Sequence, residues 1–434
     1  MLKYLYRLLY HKKGGDNMIK QTVTVKIKLK KKDVPEFDEL TQRFADACNY
    51  ISQYIFDQIG KDKDFKLNRN DIHKALYHLL RDQFNLKSQL TASAITCVIA
   101  RYKTVKTQLE QNPWRYYDKT TRKVYKLDRN LTWLKRPLHF KPQADLQRNR
   151  DWSFTEDKDQ LSLNTLGKRI KTEYICKGFE QYQDWHFGAG KLIKRGNSWY
   201  FYVSASKDLP DYDLKRTKHI VGIDRGERFL MVCYDETGKT LFYSGKQIVR
   251  KHNKYKELRR QLQKKGTKSA KRRLKKIGHR ENRWMSDVNH CLSKALVDLY
   301  GPNTLFVLED LKGVTKNTVK HRKKDNRYVH NSWSHYQLGQ DLTYKANLKG
   351  SQVIEINPKY TSQRCPKCGR IRKENRDHDL HLYVCDNCGY KSNDDRLAGI
   401  NIFELGIEYL HGKKKPKFVK HRSKTNEIPT CLKF

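Results

Sequence analysis

Two closely spaced pairs of cysteines carry the clearest chemical signal in the sequence. Cys365 and Cys368 form one pair, Cys385 and Cys388 form the other after a gap of 16 residues, and a glycine follows each pair. Four thiolates at this spacing can bind Zn²⁺ tetrahedrally, and the glycines allow tight turns that point backbone N–H groups at sulfur. Because four protein ligands close the coordination sphere, we expect one structural zinc ion.

Isolated acidic residues stand where strongly apolar segments begin or end. Asp224 ends IVGID, Glu309 stands near the end of TLFVLED, and Asp394 and Asp395 open DDRLAGINI. Taken singly, Asp394 or Asp395 is equally well explained as a helix N-cap. An α/β fold can bring two strand ends and a helix start to one point, where three carboxylates would bind two Mg²⁺ or Mn²⁺ ions. The pattern is therefore compatible with phosphodiester hydrolysis by two metal ions.

The elements that would position these carboxylates alternate between strands and helices. HIVGID and TLFVLED are short apolar strands, and MVCYDETGKTLFYSG predicts a hairpin that turns at Thr237-Gly238. Two helices that meet at Gly266-Thr267 separate the strands, SQVIEINP predicts a further strand, and DDRLAGINIFELGIEYL predicts a helix. The second half of the chain therefore has the pattern of an α/β domain.

The first half combines strands with a helical block. Residues 18–30 alternate apolar and polar side chains as one long strand does, residues 35–109 have helical periodicity, and residues 191–206 predict a hairpin that turns at Gly196-Asn197. This order indicates a β unit interrupted by a helical insertion. Aromatic and charged residues also stand together at Trp114-Arg115-Tyr116-Tyr117 and at Lys123-Val124-Tyr125-Lys126, where the rings either stack on unpaired bases or belong to a strand core.

The basic charge of the chain indicates a polyanionic partner. Its 434 residues include 91 Lys and Arg against 47 Asp and Glu, a net charge of +44, yet 37% of residues are hydrophobic, which excludes wholesale disorder. No apolar run approaches the roughly 18–20 residues of a membrane span, so we expect no membrane protein. The scattered remaining cysteines and the tight pairs fit a reducing compartment.

The two helices near the middle of the chain hold the densest positive charge. Between Lys246 and Arg280 there are 16 Lys or Arg and one acid, Glu257. Such density repels itself unless phosphates neutralise it, so we expect this segment to bind nucleic acid. The candidate contacts are Lys254, Arg259, Arg260, Lys264, Lys271, Arg272, Arg273 and Lys276.

Three motifs in order resemble the split RuvC nuclease core of the TnpB family. They are VGIDRGER, FVLEDL, and NPKYTSQRCPKCG with CDNCGYKSNDDRLAGINI. TnpB proteins are transposon-encoded, RNA-guided nucleases of IS200/IS605 or IS607 type, and compact type V CRISPR effectors are related to them. The resemblance implies that Asp224, Glu309 and Asp395 are catalytic and bind magnesium, and that the four cysteines form a zinc ribbon between the second and third motifs.

The third motif departs from the family pattern. The family usually has Asp-x-Asn-Ala-Ala, and here Leu397 stands where the Asn would be. The register therefore rests on Asn401-Ile402, and Asp394 is a lesser candidate than Asp395.

The resemblance implies an α+β multidomain fold. An N-terminal β-barrel (wedge) domain with a helical recognition insertion would precede a RuvC/RNase H-like α/β nuclease domain with an inserted zinc ribbon. Met18 opens the first strand and could itself be the start, so we expect an extension and no signal peptide before it. The expected parts are an extension at 1–17, a wedge at 18–33 and 111–215, a helical insertion at 34–110, a nuclease domain at 216–362 and 390–411, a zinc ribbon at 363–389, and a basic disordered tail at 412–434.

The function implied by the resemblance is RNA-guided DNA cleavage by two-metal hydrolysis, in which the protein also recognises a short motif adjacent to the DNA target. The expected partners are a structured guide RNA and target double-stranded DNA, with two Mg²⁺ or Mn²⁺ ions, one Zn²⁺ and no small-molecule substrate. We expect a prokaryotic, cytoplasmic protein associated with the nucleoid. Alternatives are a compact type V CRISPR effector, a guide-dependent DNA-binding repressor, a DNA transposase with a similar carboxylate triad, and a plain RNA-binding protein. The retained triad disfavours the two binders, and the position of the zinc ribbon disfavours the transposase.

Overall fold

The computed structural model divides the chain into two compact units: the first is built mainly on Lys20–Asp208, and the second begins at Leu209 and also takes in Tyr10–Ile19. It describes residues 7–13, 16–62, 65–226, 228–311, 335–377 and 379–420. Within the expected extension and tail, residues 1–6, 14–15 and 421–434 lie outside the described residues. None of the helices in the described ranges has the length and apolar character needed to cross a bilayer.

The predicted helical block of the first unit consists of three helices. They are α1 (Pro35–Lys61), α2 (Arg69–Phe84) and α3 (Ser88–Glu110). Pro35 occupies the first turn of α1, where its missing N–H costs nothing. The predicted apolar stripe of α1, from Phe37 through Phe44 to Ile51, is fully buried.

An eight-stranded sheet forms the rest of the first core, with edge strands that almost meet. A bridge between Arg148 and Trp152 links the two edges of the sheet, so the sheet approaches a barrel. The predicted hairpin turns at Gly196, whose φ of +58° suits glycine. The strands are β1 (Arg7–Lys13), β2 (Asp16–Leu29), β5 (Ala144–Leu146), β6 (Trp152–Phe154), β7 (Gln160–Leu163), β8 (Ile170–Ile175), β9 (His186–Arg195) and β10 (Ser198–Pro210).

A separate two-stranded hairpin follows α3. Its strands are β3 (Trp114–Asp118) and β4 (Lys123–Leu127), which pair antiparallel with Tyr116 opposite Tyr125.

The second unit is built on a five-stranded mixed sheet. Its order is β13-β12-β11-β14-β15, in which β11, β14 and β15 run parallel and the other two neighbours run antiparallel. The strands are β11 (His219–Asp224), β12 (Phe229–Asp235), β13 (Thr240–Ser244), β14 (Thr304–Glu309) and β15 (Gln352–Ile356). The helices are α4 (Lys246–Lys265), α5 (Lys268–Tyr300), α6 (His335–Leu348) and α7 (Asp394–Leu410).

Helices cover both faces of this sheet. Because strand side chains alternate between faces, Val221 and Ile223 pack with residues of α5 and α6, whereas Val307 packs with Ile402 of α7. The predicted α/β pattern of the second half is therefore a three-layer arrangement.

A small ribbon precedes α7, and part of the expected tail packs on the core. The ribbon's strands are β16 (Arg376–Asp377), β17 (Leu382–Val384) and β18 (Lys391–Asn393). After α7, Phe418 is only 8% exposed and packs with Leu405. The expectation of a disordered tail is therefore wrong at Phe418, because an aromatic ring in a polar segment gains by packing against apolar core residues.

Asp341 on α6 is a buried carboxylate that accepts no hydrogen bond among the described residues, although the Nδ1 atom of His290 lies 3.7 Å from its Oδ2 atom. Burial raises its pKa from 3.8 to about 7. Between these values the folded state holds a proton that the unfolded chain has lost, so stability falls as the pH rises through this interval.

We therefore expect Asp341→Asn, which cannot titrate, to gain stability relative to the parent as the pH rises from 5 to 8. The gain should be about 2 kcal/mol. Thermal unfolding of both proteins across this range measures it, and a difference in Tm that does not change with pH would contradict the titration of Asp341.

Candidate nuclease and zinc sites

Two of the predicted carboxylates lie at the ends of neighbouring strands. Asp224 is the last residue of β11, Glu309 is the last residue of β14, and Ile223 pairs with Leu308 in parallel register. The carboxyl ends of parallel strands meet at one sheet edge, which is the usual place for a site in such folds. The structure therefore places Asp224 and Glu309 side by side.

A close approach of α7 to β11 positions the third carboxylate. A Cβ atom on Gly222 would lie 2.4 Å from the Gly399 carbonyl oxygen and 2.4 Å from the Phe403 nitrogen, so only glycine fits there. The helix starts beside the strand ends, where Asn393 caps it by accepting from the backbone N–H of Asp395 and Arg396. Gly222 is therefore needed for the packing of α7 against β11.

Charge and burial couple the three carboxylates. Burial raises the pKa of Asp224 well above its usual value, and the charges of Glu309 and Asp395 raise it further. Burial likewise raises the pKa of Glu309 and of Asp395. A bound cation would remove this penalty, because it stabilises the ionised form of each carboxylate.

The adjacent acids at the start of α7 have different surroundings. Asp394 is 1% exposed, and its carboxylate accepts from Arg376 at 2.9 Å. Asp395 is less buried and lies 3.5 Å from the same guanidinium. Its charge raises the pKa of Asp224. Asp394 therefore has Arg376 as a structural partner.

Among the described residues, His381, Asp394 and Asp395 form a compact group of possible metal ligands. The three predicted carboxylates do not lie as close to one another.

Two contacts to Glu309 were not predicted from the sequence. The Arg225 guanidinium donates to the Glu309 carbonyl oxygen at 2.6 Å, and the Thr361 hydroxyl donates to its carboxylate at 2.5 Å. Thr361 is itself held by Asn401, which is fully buried. The Asn401 amide donates hydrogen bonds to the Thr361 and Arg364 carbonyl oxygens. Asn401 therefore connects α7 to the loop that orients Glu309. The only sequence signal was the position of Thr361 between the strand and the first cysteine pair.

Because the motif resemblance implies DNA cleavage at this site, Thr361→Val should lower its rate about ten- to hundredfold through the loss of a hydrogen bond to a charged group. Thr361→Ser keeps the hydroxyl and should restore most of the rate without a change in Tm. Single-turnover cleavage measures both. Equal rates for the valine and serine variants would contradict a positioning role.

The four cysteines form a compact cluster. All four Sγ atoms lie within 4.8 Å of one another, and the Cys365–Cys388 and Cys368–Cys385 separations are 3.6 and 3.5 Å. Tetrahedral Zn²⁺ with Zn–S bonds of about 2.3 Å requires sulfur atoms roughly 3.8 Å apart. The donor set therefore fits a structural zinc ion.

The two knuckles have the same backbone geometry. Gly369 donates its N–H to the Cys365 carbonyl, Gly389 donates to that of Cys385, and both glycines have positive φ, at +74° and +66°. Leu397 of α7 packs with the buried cysteines of this cluster. The ribbon therefore supports the helical turn that holds Asp395.

Most of the predicted nucleic-acid contacts on α4 and α5 are exposed, with one correction. Arg259 is half-buried and forms an ion pair with the buried Glu281, which also contacts His252. This ion pair joins α4 to α5, because the buried carboxylate of Glu281 requires a positively charged partner. The exposed residues are Lys254, Arg260, Lys264, Lys271, Arg272, Arg273 and Lys276.

Two family models match the second unit. The one described as Cas12f1-like, TNB domain, matches residues 335–402, and the one described as Probable transposase matches residues 207–318. These matches confirm the resemblance predicted from the motifs: the chain is related to the TnpB family and to compact type V effectors.

Individual relatives extend the similarity along the chain. CRISPR-associated endodeoxyribonuclease Cas12f1 of Sulfoacidibacillus thermotolerans is 23% identical over 86% of this chain and 93% of its own. A TnpB-like protein of Methanocaldococcus jannaschii is 27% identical over 58% of this chain and 92% of its own. The solved structure of the mini-RNA-guided endonuclease CRISPR-Cas phi3 has a TM-score of 0.46 at 13% identity, over 91% of this chain and 93% of that one, which is too low to establish a shared fold.

Proposed function

We propose that the protein is an RNA-guided DNA endonuclease whose second unit is a RuvC-like, RNase H-like nuclease domain. The observation that carries the proposal is that β11 and β14 end next to each other at Asp224 and Glu309, with Asp395 near enough to raise the pKa of Asp224. Such a set of buried carboxylates is costly to maintain without a cation, which a nuclease of this type would bind.

Each residue of the site has a part in this proposal. Asp224, Glu309 and Asp395 would hold two Mg²⁺ or Mn²⁺ ions, and Thr361 and Arg225 would keep Glu309 in place. When bound, such ions lower the pKa of water and stabilise the leaving oxygen of the phosphodiester. A bound ion would offset the burial that raises the pKa of each carboxylate, so cleavage should require the metal.

The rest of the chain would bind nucleic acid. The exposed cations of α4 and α5 would neutralise phosphates of the guide RNA and target DNA, which gives affinity without base information. The near-barrel sheet would be the wedge domain, at 18–33 and 111–215, and the helices at 34–110 would be the recognition insertion. Residues 216–362 and 390–411 would form the nuclease domain, 363–389 the zinc ribbon. Binding to DNA would associate the protein with the nucleoid.

A compact CRISPR effector is the second candidate. The similarity to Cas12f1 over 86% of this chain favours it. The two candidates differ in the origin of the guide, so a neighbouring repeat array would indicate the effector and a transposon end would indicate a TnpB protein.

The test is to co-express the protein with its flanking genomic DNA and sequence the RNA that copurifies. We expect one discrete RNA with a constant structured part and a variable end that matches DNA. Heterogeneous RNA, or none, would contradict guided targeting and favour the transposase or a general RNA-binding protein.

The zinc proposal predicts a separate result. Cys368→Ser should reduce bound zinc from about one ion per chain to near zero, because three ligands do not close the tetrahedral site. The second unit should also lose thermal stability, since Leu397 packs on the cluster. Elemental analysis and thermal unfolding measure both effects. Cys291→Ser, at an exposed cysteine outside the cluster, is the control. Undiminished zinc in the Cys368 variant would contradict the proposal.

A further inference from the structure

The β3–β4 hairpin exposes apolar side chains on both of its faces. Trp114, Tyr116 and Tyr125 lie on one face, and Tyr117 and Val124 lie on the other. Tyr117 is 58% exposed and Val124 is 61% exposed. A strand pair in a core would bury at least one face, so the structure excludes the alternative that these aromatic residues fill a core.

The rings of the first face are stacked. The Trp114 and Tyr116 centroids are 5.1 Å apart with an interplanar angle of 28°, and Tyr116 stacks on Tyr125 across the hairpin at 5.4 Å and 20°. Trp133 extends the group at 6.3 Å from Trp114. Trp114 and Tyr116 keep 48% and 42% of their surface exposed. The rings are therefore held in fixed planes while much of their surface is open to a partner.

Exposed cations surround the rings. The chain from Trp114 to Arg129 has six Lys or Arg and two Asp, and one of these acids, Asp118, accepts hydrogen bonds from Thr120 and Thr121 in its own turn. An aromatic surface with this excess of positive charge is complementary to a polyanion that carries flat apolar groups. The exposed cations of the hairpin are Arg115, Lys119, Arg122, Lys123 and Lys126.

We propose that this hairpin, residues 114–127 together with Trp133, binds unpaired bases of single-stranded RNA. Every base has a face that can stack on an aromatic ring, and the cations would neutralise the adjoining phosphates. A duplex offers no such faces along its length, so the occupant is an unpaired segment. The inference rests on the proposed function, in which RNA stays bound throughout target search, whereas a DNA strand is unpaired only transiently.

The test measures binding of a labelled, unstructured polyuridine to the full-length protein by fluorescence anisotropy. Raised salt weakens the phosphate contacts made elsewhere on this basic chain and leaves stacking visible. We expect the double variant Tyr116→Ala, Tyr125→Ala to bind at least about tenfold more weakly, because two stacking rings are lost. The matching double phenylalanine variant keeps both rings and should bind as the parent does. Tyr336→Ala is the matched control, since Tyr336 is 60% exposed on α6, outside the hairpin.

The outcomes test the binding of unpaired bases by the hairpin independently of the endonuclease function. A loss for polyuridine that exceeds the loss for an RNA duplex and for polydeoxyuridine supports RNA stacking. An equal or greater loss for the DNA strand overturns the choice of RNA. Unchanged binding, or a dimer in light scattering that the alanine variant dissociates, overturns the site. None of these results needs guided cleavage, whereas a parent protein that binds no RNA would defeat the proposed function itself.

Discussion

Asp224→Ala is expected to abolish DNA cleavage while RNA binding is unchanged. The variant removes the carboxylate that both Glu309 and Asp395 influence, and with it a ligand of the proposed metal site. Loss of several kcal/mol of transition-state stabilisation lowers the rate by ~10³-fold or more. The basic surface of α4 and α5 is untouched, so the affinity for RNA should not change. Single-turnover cleavage and RNA binding are measured on the same preparation.

The control is Asp298→Ala, which removes an exposed carboxylate of α5 that pairs with Lys294. It should cleave DNA at the parent rate. Cleavage by the Asp224 variant at a rate similar to that of this control would refute the assignment of Asp224.

Gly222→Ala should destabilise the second unit more than any surface substitution. The added Cβ would lie 2.4 Å from backbone atoms of Gly399 and Phe403, and backbone cannot move aside as a flexible side chain can. Overpacking of this kind costs about 3 kcal/mol. The shift of α7 away from β11 would also separate Asp395 from Asp224, so cleavage should fall together with Tm.

Gly278→Ala on α5 is the matched glycine control. Its Cβ would meet Arg259 only at 3.8 Å, and alanine is the better helix former by about 1 kcal/mol. This variant should be at least as stable as the parent. If Gly222→Ala were equally stable, the close approach of α7 to β11 would not hold Asp395 beside Asp224.

Local chemistry made several elements predictable from the sequence. The turns at Gly196 and Gly238 follow from backbone angles that glycine adopts readily, and both have positive φ. The spacing of the four cysteines likewise predicted a cluster because each knuckle is a local turn. Such features depend on neighbours within a few residues, so one sequence contains the information.

Features that depend on distant contacts were not predictable. Arg259 was grouped with the phosphate-binding residues, because nothing near it in the chain reveals its partner Glu281 on the next helix. Asp394 and Asp395 are adjacent at a helix start, where successive side chains point about 100° apart. Only the structure shows that Arg376 pairs more closely with Asp394. The exposure of Tyr117 could not be predicted either, because the alternation of side chains along a strand does not show whether another element covers either face.

The most direct test of the central claim is reprogrammed cleavage. The variable end of the copurified RNA is replaced by a sequence that matches a chosen DNA site, which keeps the short target-adjacent motif of the original target. A plasmid carrying that site is incubated with the reconstituted complex and Mg²⁺. The account predicts that cleavage moves to the new site and is lost with Asp224→Ala. Cleavage that ignores the RNA sequence, or that persists in the variant, would contradict it.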